Sequence, residues 1–86
     1  MEVATLFELV PTDGRVSFYR KAMVRVDNDG SKTLYSYGTK IMTVFSDGSA
    51  VRYWDGYTMT TGRHIRSFCG LNKKEYMALE LKENQY

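Results

Sequence analysis

The stretch VRVDNDGSKTLYSYG, residues 24–38, sets an Asp-Gly pair between two runs of apolar, β-branched and aromatic residues, and MTVFSDGSAVRYW at 42–54 repeats the arrangement. An Asp-Gly pair so bounded is the strongest local signal for a β-hairpin, because a type I′ turn needs positive φ at both central residues and this pair tolerates it. With Asp29-Gly30 as a two-residue loop, Asp27 faces Lys32, Val26 faces Thr33, Val24 faces Tyr35 and Ala22 faces Tyr37. An opposite-charge pair and a continuous apolar face emerge together. Asp47-Gly48 likewise puts Val44 opposite Val51, Met42 opposite Tyr53 and Lys40 opposite Asp55, with Ile41, Phe45, Ala50 and Trp54 on the other face.

Between the two hairpins, Gly38 is expected to mark a bulge or bend, so the sheet should curve. VATLFELV at 3–10, closed by Pro11 and the TDG turn, reads as a further strand, and VSFYRKAMVRV at 16–26 as a long one. That predicts four or five antiparallel strands. After Trp54 the period changes, for Thr61, Ile65, Phe68 and Cys69 fall on one helical face while Arg63 and Arg66 point away from it. Thr60 is the expected N-cap and Gly70 the left-handed end. Asn72 with Glu75 at N3 forms a capping-box variant, and Leu71 with Tyr76 has the spacing of a hydrophobic staple. Helices are therefore predicted near 60–69 and 73–82, the second burying Tyr76 and Leu79, with Met77 a further candidate. Strands first and helices last give an α+β class: a curved antiparallel sheet of four to five strands followed by one or two C-terminal helices on one face.

At 86 residues the chain is read as a single small domain, 1–86, too short for a second core. Its 43% hydrophobic and 14% aromatic content, with seven Gly and one Pro, is that of a folded chain rather than a disordered one. The single cysteine, Cys69, excludes an internal disulfide framework, which a small secreted domain would ordinarily need, so a reducing cytoplasm is expected. MEVATLFELVPTDG has an acid where a secretory leader has bases, and no apolar run approaches the roughly 18 residues of a membrane helix. No membrane partner is expected.

Charge is unevenly spread. Residues 1–30 carry five acids and four bases, residues 31–74 two acids and seven bases, and residues 75–86 three acids and one base. The positive middle points to an anionic partner, either nucleic acid or an acidic protein surface.

No catalytic, cofactor or metal site is read from the residues. His64 is the only histidine, and no cysteine or histidine lies at ligand spacing from it. A Cys69/His64 nucleophile pair is poor, because residues five apart on a helix point about 140° from each other. Both are expected to be structural, His64 by capping or pairing locally at the edge of the apolar face. TMTTGRH at 58–64 could meet an anion at a helix start, but N-capping by Thr60 and close helix-to-sheet approach at Gly62 explain it without a ligand. Tyr35, Tyr37, Tyr53, Trp54 and Tyr57 alternate with Lys40, Arg52, Arg63 and Arg66 in the manner of sheets on which bases stack, although the register above sends most of these rings to the core. Lys73 and Lys74 stand at the first positions of the second helix, where positive charge opposes the macrodipole, and a tolerated local cost can mark a contact surface. The partner-binding candidates are thus Arg52, Tyr57, Arg63, Arg66, Lys73 and Lys74.

The succession LYSYGTKIM, DGYTMTTGRHIRSF and LNKKEYMAL resembles short uncharacterised proteins of phages and mobile elements in Gram-positive and gut bacteria. The shared elements are a Ser-Tyr-x-Thr step, here Ser36 to Thr39, and a Tyr-x-x-Thr-Thr-x-x-His step, here Tyr57 to His64. The resemblance implies no catalytic residue. It implies a phage-like setting, in the cytoplasm of a bacterial host, where small non-enzymatic proteins act by binding and blocking a host protein or nucleoprotein complex, anti-CRISPR and other anti-defence inhibitors among them. The expectation is therefore a non-catalytic binding protein without a cofactor, and the alternative is a protein that binds single-stranded nucleic acid.

Overall fold

Both Asp-Gly pairs do turn the chain, but through loops one residue longer than the sequence suggests. In the structure, a computed structural model that describes residues 5–9 and 21–82, the Asp27 N–H donates to Ser31 O at 2.9 Å and the Gly30 N–H to Asp27 O at 3.0 Å. The second loop repeats this, with Phe45 N–H to Ser49 O at 2.8 Å and Gly48 N–H to Phe45 O at 3.0 Å. Gly30 and Gly48 take φ of 89° and 91°, while Tyr37 alone among the described non-glycine residues has positive φ. Asn28, Asp29, Ser46 and Asp47 therefore stay on the ordinary side, which excludes type I′ and matches a type I turn closed by a glycine in the left-handed region. Each aspartate helps to fix the loop. Asp29 Oδ1 accepts from the Ser31 N–H and hydroxyl at 2.9 and 2.7 Å, and Asp47 Oδ1 from those of Ser49 at 2.9 and 2.6 Å. These bonds to the charged form hold both carboxyls below their ordinary range.

The extra loop residue shifts both registers by one. Val24 faces Leu34 rather than Tyr35, Ala22 faces Ser36 rather than Tyr37, and Met42 faces Arg52 rather than Tyr53. Because side chains alternate, one step exchanges the faces of a strand. Leu34 enters the core at 0% exposure, Tyr35 crosses to the opposite face beside Met23, and Ser36 turns inward.

The elements in order are β1 (Thr5–Glu8), β2 (Ala22–Val26), β3 (Lys32–Ser36), β4 (Thr39–Val44), β5 (Ala50–Arg52), α1 (Met59–Cys69), α2 (Lys73–Met77) and β6 (Glu80–Leu81). They form an α+β domain with a six-stranded sheet in the order β1-β2-β3-β4-β5-β6, antiparallel except for the β5–β6 pair. The strand count exceeds the expected four or five because β6 adds to the sheet edge. The part of the expected 16–26 strand before residue 21 lies outside the described residues.

The type I′ turn falls at Tyr37-Gly38, with φ of 52° and 79°, where a bulge or bend was expected. The bulge lies next to it. Leu34 faces Met42 while Tyr35 faces Lys40, so Ile41 is the extra residue on β4, and Ile41 and Met42 are buried side by side. The core packs Ala22, Val24, Leu34, Ile41 and Met42 of the sheet against Ile65 of α1 and Tyr76 of α2.

Helix α1 begins at Met59 with Thr58, not Thr60, as its N-cap. The Thr58 hydroxyl accepts from the Thr61 N–H at 3.1 Å, and Gly70 ends the helix at φ 80° with its N–H on Arg66 O at 2.8 Å. The expected faces are found: Thr61 and Ile65 are buried, Phe68 and Cys69 pack on the core, and Arg63 and Arg66 are exposed. Helix α2 has the full capping box, Glu75 N–H to Asn72 Oδ1 at 2.8 Å and Asn72 N–H to Glu75 Oε1 at 3.0 Å. It stops at Met77 rather than running to 82. The following residues instead satisfy the open edge of β5, the Lys82 N–H donating to Arg52 O at 2.8 Å.

Candidate functional site

The chain between β5 and α1 places two aromatic rings by means of two glycines. Trp54 folds over Gly56, where a Cβ would come within 2.7 Å of the indole Cε2. Tyr57 lies against Gly62, where a Cβ would stand 2.6 Å from the phenol Cζ. The close approach expected at Gly62 is thus real, but it is made by Tyr57 and not by the sheet. The Tyr57 ring is 6.0 Å from that of Tyr76, and the Lys73 ammonium is 5.9 Å from its centroid.

These contacts shape a groove of about 480 Å³ between α1 and the start of α2, lined by Tyr57, Met59, Gly62, Arg63, Arg66, Leu71, Asn72 and Lys73. No carboxylate is in the lining. Arg63 and Arg66 are three apart on the exposed face of α1, and among the described residues their guanidinium groups find no hydrogen bond or ion pair; Lys73 finds none there beyond its contact with the Tyr57 ring. The groove therefore presents three cations with no acid among the described residues to neutralise them, over a floor of Tyr57, Gly62 and Leu71, with Met59, 77% exposed, at the rim.

Four of the six sequence candidates, Tyr57, Arg63, Arg66 and Lys73, meet in this groove. Lys74 is exposed on α2 outside the lining. Arg52 is elsewhere and is engaged: its Nε donates to Leu79 O at 3.0 Å, Nη1 to Trp54 O at 3.3 Å and Nη2 to Met77 O at 3.4 Å.

The aromatic residues do not form one row. Tyr35 and Tyr53 lie on the face of the sheet away from the helices, Lys40 standing 4.2 Å over the Tyr53 ring and the Tyr53 hydroxyl donating to Thr43 Oγ1 at 3.1 Å. Trp54 and Tyr57 are half-buried on the helix side, and Tyr37 is exposed in its turn with Lys21 5.6 Å over the ring.

A second cleft, of about 520 Å³, opens at the start of α1 and is lined by the hydroxyl-bearing residues Ser36, Tyr37, Thr39, Thr58, Thr60 and Thr61, with Ile41 and Trp54. At its base Ser36 Oγ lies 2.8 Å from His64 Nδ1 and 3.5 Å from Thr61 Oγ1, all three residues being buried. His64 thus has a long-range partner where local capping or pairing was expected. Its partner is far away in the chain and faces it only because the hairpin register turns Ser36 inward. The contact ties the β3–β4 turn to α1. Ser36→Ala leaves a buried ring nitrogen without this partner and is expected to lower the unfolding free energy by about 1–3 kcal/mol in urea titration. A change below a few tenths would refute the tie. Cys69, with its thiol raised by burial, donates to Ile65 O at 3.5 Å and lies 3.8 Å from Met42 Sδ, a packed position rather than a reactive one.

Among the described residues no group of three or more His, Cys, Asp or Glu could hold a metal ion, and no helix is long and apolar enough to cross a membrane. A family model described as a family of unknown function (DUF8033) matches residues 7–84. No curated protein and no solved structure matches the chain.

Proposed function

The chain belongs to the DUF8033 family, and on that premise we propose that it is a small binding protein that engages an anionic surface of a macromolecular partner through the groove between α1 and α2. The observation that carries this reading is the convergence of Arg63, Arg66 and Lys73, none paired with an acid among the described residues, on a groove with an apolar floor. Clustered cations repel one another and raise the local potential. A partner of opposite charge removes that repulsion and is steered to the site, with a strong dependence on salt. Lys73 and Lys74 also oppose the α2 macrodipole, a local cost that such a partner offsets. The resemblance to phage proteins supports a host protein or nucleoprotein complex as the partner and blocking as the mode of action, as in anti-defence inhibitors of the anti-CRISPR type.

The test is the variant Arg63→Glu, Arg66→Glu, Lys73→Glu, Lys74→Glu, compared with the unaltered chain in capture from a bacterial lysate. Loss of the captured partner is expected with little change in Tm, since all four side chains are exposed and acids that suit the first turn of α2 are offset by one in the last turn of α1. Undiminished capture by the variant would remove this surface.

A further inference from the structure

Resting on the groove as the contact surface, we propose that its occupant is an acidic polypeptide segment that seats one large apolar side chain among Tyr57, Met59 and Leu71 and sets its carboxylates on Arg63, Arg66 and Lys73. The groove combines two chemistries that such a segment carries together. Its floor is apolar, and a volume of about 480 Å³ accommodates one large side chain with the backbone on either side. Met59, 77% exposed at the rim, is the unbranched, polarisable residue that adapts its shape to an incoming apolar group.

The rim supplies the charge. Arg63 and Arg66, three apart on one helix face, have Cβ atoms about 5–6 Å apart. Alternate side chains of an extended segment are about 7 Å apart along one face, so two acids so placed can each meet one guanidinium fork. Lys73, a compact cation without a preferred plane, suits a third carboxylate across the groove.

Nucleic acid fits less well. A base needs an open ring face on which to stack, and the Tyr57 ring is hemmed by Gly62, by Tyr76 at 6.0 Å and by the Lys73 ammonium at 5.9 Å. Phosphates alone would use the rim and leave the apolar floor wet.

The experiment is fluorescence anisotropy at low ionic strength with four fluorescein-labelled probes: a peptide with one central Phe flanked by glutamates, the same peptide with Gly for Phe, the same with Gln for Glu, and oligothymidine. The glutamate-Phe peptide is expected to bind, and replacing either the Phe or the glutamates should weaken it about tenfold or more. Met59→Glu, at an exposed position that tolerates the change, should weaken it similarly with Tm unchanged. Equal binding of the Phe and Gly peptides that is still lost in the fourfold charge variant would overturn the apolar anchor while leaving the groove. Tighter binding of oligothymidine would overturn the polypeptide in favour of nucleic acid. Peptide binding that the fourfold variant retains, or no binding of any probe, would overturn the proposal, and only retention by the variant would take the groove with it.

Discussion

Tyr76→Ala is expected to lower the unfolding free energy by about 3–5 kcal/mol, a large part of what a domain of this size has in total. Tyr76 is the largest fully buried side chain among the described residues, at 0% exposure, and joins the core of the sheet to α2. Its hydroxyl donates to Trp54 O at 2.8 Å and lies 3.4 Å from Ile41 O, so it also pins the chain that leaves β5. Tyr76→Phe keeps the packing and loses these bonds, for an expected loss of about 1–2 kcal/mol. Urea titration of both variants separates the two contributions, and equal losses would show that the ring contributes nothing beyond its hydroxyl. The same residue gives a pH dependence. Burial pushes the phenol up from 10.0 to about 12, so the folded chain keeps the proton after the unfolded chain has released it. The group's contribution to stability is complete below pH 10 and falls as pH rises toward about 12, a decline that Tyr76→Phe should lack.

Arg52→Ala is the second large effect, about 2–3 kcal/mol, because one guanidinium serves the carbonyls of Leu79, Trp54 and Met77. Its loss should loosen α2 and β6 first, seen as faster amide exchange over residues 76–82, while the Phe peptide still binds. Arg52→Lys should restore only part, since an ammonium cannot reproduce the planar fork. Loss of peptide binding with stability and exchange unchanged would instead return Arg52 to the contact surface, where the sequence alone places it.

Arg52 shows where sequence reasoning stops. A basic residue followed by two aromatics, Tyr53 and Trp54, has the same local pattern whether it meets a partner or its own backbone, and only the return of the chain after α2 to the sheet edge decides. Locally encoded features were legible: both Asp-Gly turns, the Asn72–Glu75 capping box, Gly70 as a helix end and the inward stripe of Thr61 and Ile65. The registers were not, since an Asp-Gly pair serves either a two-residue type I′ loop or the last two positions of a longer type I loop, and the choice rests on hydrogen bonds such as Asp29 to Ser31. That single step hid the Ser36–His64 contact and sent Tyr35 to the wrong face. The end of α2 was hidden for a similar reason, for the unpaired edge of β5 overrides helix propensity beyond Met77. The groove itself was half legible. Arg63 and Arg66 could be read as exposed neighbours from helical spacing, but their meeting with Lys73 and Tyr57 depends on the α1–α2 corner and on the missing side chain of Gly62.

The most direct test of the groove as the contact surface is a ¹H–¹⁵N chemical-shift map of the labelled chain during titration with the glutamate-flanked Phe peptide. Shifts are expected at Tyr57, Met59, Gly62, Arg63, Arg66, Leu71 and Lys73, suppressed by salt and absent from Met23, Tyr35 and Thr43 on the far face of the sheet. Shifts centred on that far face, with the groove residues unmoved, would contradict it.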